Sequence, residues 1–189
     1  MSGDPYVYPG TRVLINKLDI LDADELDRVE RQFVWSRIQE GIPGGNFDLK
    51  HLRGIHLHLF QDIYDWAGDI RIVEISKGGS QFQFRQYIET GMADVHRRLE
   101  KADFLRKLDP MAFAAGAARI IGDVNYVHPF REGNGRSQMY YLKQLAAQAG
   151  HPLDLTKIDA GRWMEASRQA HLGNYDPMAS SIAVAFASS

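Results

Sequence analysis

The stretch His128–Arg136 reads HPFREGNGR, and it crowds a histidine, two arginines, a glutamate, an asparagine and two glycines into one short segment. Gly133 and Gly135 flank Asn134 and let the backbone adopt positive φ, so that successive N–H groups can point the same way. A helix is expected directly afterwards, and the first N–H groups of a helix have no partner within it. A glycine turn running into a helix N-terminus is a ready anion site, with phosphate the usual anion. Arg136 adds a forked donor suited to phosphate, and Asn134 can donate or accept at the same place. Glu132 puts a carboxylate beside that anion site, which is unfavourable unless a cation lies between. Mg2+ held by one carboxylate and by phosphates is the usual remedy. His128 is the group here that exchanges a proton near neutral pH. Phe130, the lone large apolar residue of the loop, reads as its anchor into the core. Taken singly, each residue has an ordinary explanation: a capping histidine, a helix-capping glycine, a solvated glutamate. Crowded together, they describe a magnesium–nucleoside triphosphate site with a histidine base and an incoming hydroxyl. Residue chemistry leaves open whether the α- or the γ-phosphorus is attacked.

The elements that must position this loop are mostly helical. Apolar residues at helical spacing predict a helix from Asp24 to about Glu40, stopped by Gly41-Ile42-Pro43-Gly44-Gly45. Asp48 is placed to cap a second helix running through Leu52, Ile55, Leu59, Ile63 and Tyr64 and fading at Trp66-Ala67-Gly68. The β-branched, alternating run Arg71–Ile75, then Gly78-Gly79, then Gln81–Phe84 predicts a two-strand hairpin with a flexible tip. Helical signal resumes near Arg85 and runs, with a break allowed, to Leu108. Pro110 opens PMAFAAGAARIIGDVN, nearly all apolar or small, which is expected to be the buried central helix and to deliver His128. Further helices are expected over Gly135–Ala149 and Thr156–Gln169. The resulting expectation is an all-α helical bundle around a buried central helix, with one β-hairpin. Residues 1–20 read as an irregular segment, 21–175 as one domain and 176–189 as a weakly patterned tail.

The whole chain bounds the partners. Its 189 residues carry 22 Lys and Arg against 24 Asp and Glu, a formal charge of −2, so it offers no basic surface for wrapping nucleic acid. No cysteine is present, which removes disulfides and thiolate ligands and fits a reducing compartment. No long apolar run and no signal-peptide pattern appear, so no membrane partner and a cytoplasmic location are expected.

HPFREGNGR matches every fixed position of the Fic signature, His-x-Phe-x-Asp/Glu-Gly-Asn-Gly-Arg. LHLFQDIYDWAGDIR, Leu57–Arg71, resembles the segment before that family's flap, and RIVEISKGGSQFQF resembles the flap itself. The resemblance covers roughly residues 10 to 175 and implies a Fic fold that transfers AMP from ATP to a target protein's hydroxyl, releasing pyrophosphate. It implies His128 as the base, Glu132 as the Mg2+ ligand, Gly133, Asn134 and Gly135 as the anion nest, and Arg136 as the phosphate arginine. The backbone of Ile72, Val73, Glu74 and Ile75 would pair with an extended target segment. Lys77, near the tip, is placed either to clamp target or phosphate or simply to be solvated. A related branch, the Doc toxins, transfers phosphate and replaces glycines kept here as Gly133 and Gly135, so this chain resembles the adenylylating branch. Transfer of another nucleotide, and a degenerate Fic fold that only binds, remain the alternatives.

Two features bear on regulation. Many relatives carry a second arginine three residues after the first; here Met139 stands there, with Gln138 or Arg85 as substitutes to consider. SRIQEG, Ser36–Gly41, matches the family's inhibitory Ser/Thr-x-x-x-Glu-Gly pattern, but a helix ending explains Glu40-Gly41 as well. The expectation is no built-in inhibitor. The segments around Asp4–Tyr6 and Leu14–Leu18 resemble the bacterial class regulated by a small antitoxin carrying that inhibitory helix, some of whose members modify DNA gyrase and topoisomerase IV.

Overall fold

The computed structural model describes residues 4–187, so the outermost residues of the irregular N-terminal segment and of the tail, 1–3 and 188–189, lie outside it. Among the described residues the chain forms α1 (Ala23–Glu40), α2 (Leu49–Phe60), β1 (Ser76–Lys77), β2 (Ser80–Gln81), α3 (Ile88–Lys101), α4 (Pro110–Val127), α5 (Asn134–Gln148), α6 (Ala160–His171) and α7 (Asp176–Val184). The expected class holds: a helical bundle with one small hairpin.

Local chemistry explains the helix boundaries. Asp22, Asp48, Asp109 and Asp159 each accept a hydrogen bond from the third residue after them and so cap α1, α2, α4 and α6. Gly41 closes α1 at φ 96°. Pro110 starts α4, where its missing N–H costs nothing. As expected, α4 is the central helix: Phe113, Ala114, Ala117, Ala118, Ile121 and Val124 are fully buried. Its small residues let α3, α5, α6 and α7 pack around it.

Four expectations shift, the first being that α6 starts at Ala160 after its cap Asp159 and not at Thr156. The second helix ends at Phe60, and residues 61–64 form a turn whose Ile63 and Tyr64 N–H groups both bond to the Phe60 carbonyl. The hairpin ladder is shorter than the alternating sequence predicts, and its first strand lies wholly beyond the Arg71–Ile75 run. It pairs only Ser76 with Gln81 and Lys77 with Ser80, extended by a 3.1 Å bond from Phe82 N to Ile75 O. The ladder does not extend further back because Ile72 N and Val73 O bond elsewhere, as described below, and Gln83 N on the facing arm donates to the Tyr126 carbonyl at 3.0 Å. The tail becomes α7: Met178 and Ile182 are fully buried, and the helix packs on α4 and α6. Among the described residues no helix is long and apolar enough to cross a membrane.

Candidate active site

His128 ends α4 in a left-handed conformation, φ 49° and ψ 63°, with its N–H bonded to the Val124 carbonyl. Its Nδ1 lies 3.2 Å from the Asn125 carbonyl, which can only accept. Nδ1 therefore carries the proton and Nε2 keeps its lone pair, the arrangement a general base needs. Phe82, from the end of the hairpin, stacks on the ring at 3.8 Å and 14°. Burial under this cover pushes the imidazole down to about 4, and the charges of Arg71, Lys77 and His171 push the same way. Lys77 itself is exposed on β1.

The loop after the base is held open by its own side chains. Phe130 is fully buried, the anchor expected. Asn134 is 3% exposed; its Oδ1 accepts from Phe130 N at 3.0 Å and its Nδ2 donates to Phe130 O at 2.8 Å. The asparagine side chain thus clamps the turn, and what it offers an anion is its backbone N–H. Gly133 sits at φ 80°, and a Cβ there would come within 2.5 Å of the Phe60 ring, so glycine is required on both counts. Gly133 is also the N-cap of α5, and no side chain caps that end. The N–H groups of Asn134, Gly135 and Arg136 form the uncapped first turn. Gly135 is exposed, with open space where a Cβ would stand. The Glu132 carboxylate is exposed at the lip and accepts from Gly133 N at 2.9 Å.

Arg136 is half-exposed, with its guanidinium 4.6 Å over the Phe60 ring and 2.5 Å from the buried carboxylate of Glu30 on α1. Tyr64 donates its hydroxyl to the same carboxylate. Sequence reasoning gave Arg136 to phosphate alone; the structure adds a buried counter-charge that holds it beside the turn. Of the substitutes for a second arginine, Gln138 is 2% exposed and buried in the bundle. Arg85 lies 3.9 Å from Glu74 at the hairpin. Met139 packs against the core. Glu40 pairs with Arg37 at 2.9 Å on the far end of α1.

Two residues that the sequence did not single out hold the site together. Arg71 is 2% exposed, and its guanidinium donates to the carbonyls of His128 (2.8 Å), Val73 (2.7 Å), Gln83 and Val127, while its backbone N–H donates to Pro129 O at 2.9 Å. It stitches both arms of the hairpin to the end of α4. The signal was a lone arginine heading a β-branched run, indistinguishable in sequence from a solvated strand residue. The second is His56 on α2, fully buried, whose imidazole lies between Gly68 N (2.8 Å) and Glu132 O (2.9 Å).

The expected target-pairing stretch is partly committed. Ile72 N donates to the Tyr6 hydroxyl at 3.1 Å and the Val73 carbonyl serves Arg71. The Glu74 carboxylate accepts from Arg85 N at 3.1 Å. The N-terminal segment is therefore part of the site's frame: Asp4 also binds Arg131 of the loop at 2.6 and 3.0 Å.

The arrangement has the donor set for a magnesium nucleotide. Among the described residues no three His, Cys, Asp or Glu side chains cluster to hold a metal by themselves. A cation at Glu132 would take one protein carboxylate and fill its remaining positions from phosphate and water, as Mg2+ does and most transition metals do not.

The Fic/DOC family model matches residues 46–146. The chain is 40% identical over 180 residues to a probable protein adenylyltransferase, y4lH, of Sinorhizobium fredii, covering 95% of this chain and 94% of that protein. It is 39% identical to the protein adenylyltransferase VbhT of Bartonella schoenbuchensis, covering 96% of this chain but 38% of that longer protein. Among solved structures, BepC of Bartonella tribocorum, a VirB-translocated effector with bound AMPPNP, superposes with a TM-score of 0.87 at 27% identity over 97% of both chains.

Proposed function

Because the chain belongs to the Fic/DOC family, we propose that it is a protein adenylyltransferase: it moves AMP from ATP to a hydroxyl side chain of a target protein and releases pyrophosphate. The observation that carries this reading is one short turn. A base with a free Nε2 stands at the end of α4, an uncapped helix N-terminus opens α5, and an exposed carboxylate lies between them.

In this reading His128 Nε2 takes the proton of the target hydroxyl as its oxygen bonds to the α-phosphorus. The bond from that phosphorus to the bridging oxygen of pyrophosphate breaks, and the leaving group carries the electron pair. The backbone N–H groups of Asn134, Gly135 and Arg136 and the Arg136 guanidinium receive phosphate oxygens, where fixed donors stabilise charge without reorganising. Glu132 would hold Mg2+, and that ion, when bound, would supply positive charge against the charge developing on the phosphates. The target lies along the hairpin as an extended segment, against the Glu74–Ile75 stretch, which holds its hydroxyl in line. Lys77, at the hairpin, contributes positive charge toward the same centre.

The direct test is incubation with Mg2+ and ATP labelled on either the α- or the γ-phosphate in a bacterial lysate. Label entering protein from the α position supports adenylylation; label entering from the γ position alone overturns it.

The finer proposal is a toxin held in check by a small separate antitoxin, with a gyrase or topoisomerase IV subunit as target. Its support is the resemblance of the segments around Asp4–Tyr6 and Leu14–Leu18. Control in trans fits the position of Glu40, whose carboxylate is engaged by Arg37.

A further inference from the structure

We propose that His56 is a positioning residue for Glu132: its imidazole fixes the peptide that aims the magnesium carboxylate. The proposal rests on the reading of Glu132 as the metal ligand. His56 lies on α2, one turn before the Phe60 ring that meets Gly133 and Arg136, and is fully buried. Its hydrogen bonds define one protonation state. The Gly68 N–H donates to Nδ1 at 2.8 Å, so Nδ1 carries a lone pair. Nε2 must then bear the proton, and it donates to the Glu132 carbonyl at 2.9 Å. Only the neutral Nε2–H tautomer satisfies both neighbours, since a second proton on Nδ1 would face the Gly68 donor.

The ring is fixed from the sides as well. It stacks on Phe130 at 3.9 Å and 25°, with Phe60 at 4.7 Å and Trp66 at 6.0 Å. Phe130 belongs to the loop, and Phe60 is the ring that excludes any side chain at Gly133. His56 Nε2 itself would stand 3.1 Å from a Cβ at Gly133. The imidazole therefore sets the height of the Glu132–Gly133 peptide above α2. From that peptide two groups leave: the Glu132 side chain and the N–H that its carboxylate engages at 2.9 Å. Gly68 follows the Trp66 turn and leads into Arg71, so the same ring also ties the base of the hairpin to the loop. A group that orients a metal ligand through one hydrogen bond typically changes metal affinity about ten- to hundredfold when lost.

Two substitutions separate this role from packing. His56→Gln places an amide N–H where Nε2–H stood and keeps the donor to Glu132. His56→Asn places its oxygen where Nδ1 stood and keeps only the acceptor for Gly68. Binding of AMPPNP to the purified full chain is measured by calorimetry with and without Mg2+. The expected result is that His56→Asn loses at least tenfold of the Mg2+-dependent affinity, while its Mg2+-free affinity stays within about threefold. His56→Gln retains most of the Mg2+ dependence. Equal loss in both variants, or none in either, overturns the proposal. Wild-type protein labelled with 15N-histidine gives a readout that does not depend on the variants folding. The His56 Nε2–H resonance should shift when Mg2+ and AMPPNP are added together and not with AMPPNP alone; an unmoved resonance also overturns it. Should wild-type protein bind AMPPNP no better with Mg2+ than without, the reading of Glu132 fails first.

Discussion

At the scale of single residues, the base is set by what covers it. His128 is held near 4 chiefly by burial, and Phe82 supplies the stacked face of that burial. Catalysis needs the neutral imidazole, so activity is present above the folded pKa and lost below it. The wild-type rate should therefore hold level from neutral pH down to about 5 and fall only near 4. Phe82→Ala opens the ring to water and moves that acid limb upward toward the ordinary histidine value of 6.5. A pH–rate profile of target labelling checks this; an unshifted limb would show that Phe82 does not set the pKa. The burial of Phe130 and the need for glycine at 133 could be read from the sequence, because a lone aromatic and a glycine have few uses in such a turn. Asn134 could not, since an amide can equally face a ligand or its own loop, and only the buried pair of bonds to Phe130 decides. Glu30 was equally hidden: a glutamate in an amphipathic helix carries no mark of the arginine it will meet.

At the scale of elements, the hairpin is fastened to the bundle by a guanidinium rather than by strand pairing. Arg71 satisfies carbonyls from both arms of the hairpin and from the end of α4. Arg71→Met leaves those acceptors buried and should cost about 3 kcal/mol or more of stability, read by urea unfolding. Arg71→Lys keeps a charge but not the fork, so it should fold better yet transfer poorly. Its AMPPNP affinity should stay near wild type while the labelling rate falls at least tenfold, because the hairpin and base lose their fixed spacing. A loss of nucleotide affinity equal to the loss of rate would contradict this division. The alternating run Arg71–Ile75 predicted a longer strand than exists. Periodicity reports which faces are apolar, whereas the ladder is decided by who takes the backbone groups, and here Tyr6 and Arg71 take them. The starts of α2 and α4 were legible because Asp48 and Pro110 mark them locally, whereas α6 begins at Ala160, after Asp159, and not at the expected Thr156. Helix α7 was not legible, since Met178 and Ile182 acquire meaning only against α4 and α6.

At the scale of the whole molecule, buried neutral histidines tie α2 to the rest of the bundle and give the fold a pH dependence. His51 accepts from Phe47 N at 3.1 Å and donates toward Gln144 of α5 at 2.8 Å, and burial lowers its pKa. With the folded pKa below the unfolded value, the unfolded chain binds the proton first as pH falls. Stability is then complete above about 6.5 and declines as pH drops toward the folded value. Urea midpoints between pH 7.5 and 5 should show this decline, to which His56 and His128, both held at about 4 by burial, also contribute, and His51→Gln, which cannot titrate, should lessen it; an unchanged slope would show that His51 has no part in it. The bundle, its central helix and the position of the loop after it were legible from apolar spacing and one crowded motif, and together they bring the proposed base His128, the uncapped start of α5 and the Glu132 carboxylate onto one turn. The most direct test of that claim is labelling of a bacterial lysate with α-labelled ATP and Mg2+ by wild-type protein and by His128→Ala. The account predicts a labelled protein band with wild type and a loss of about a hundredfold or more with the variant, which should still bind AMPPNP. Equal labelling by both proteins would contradict it.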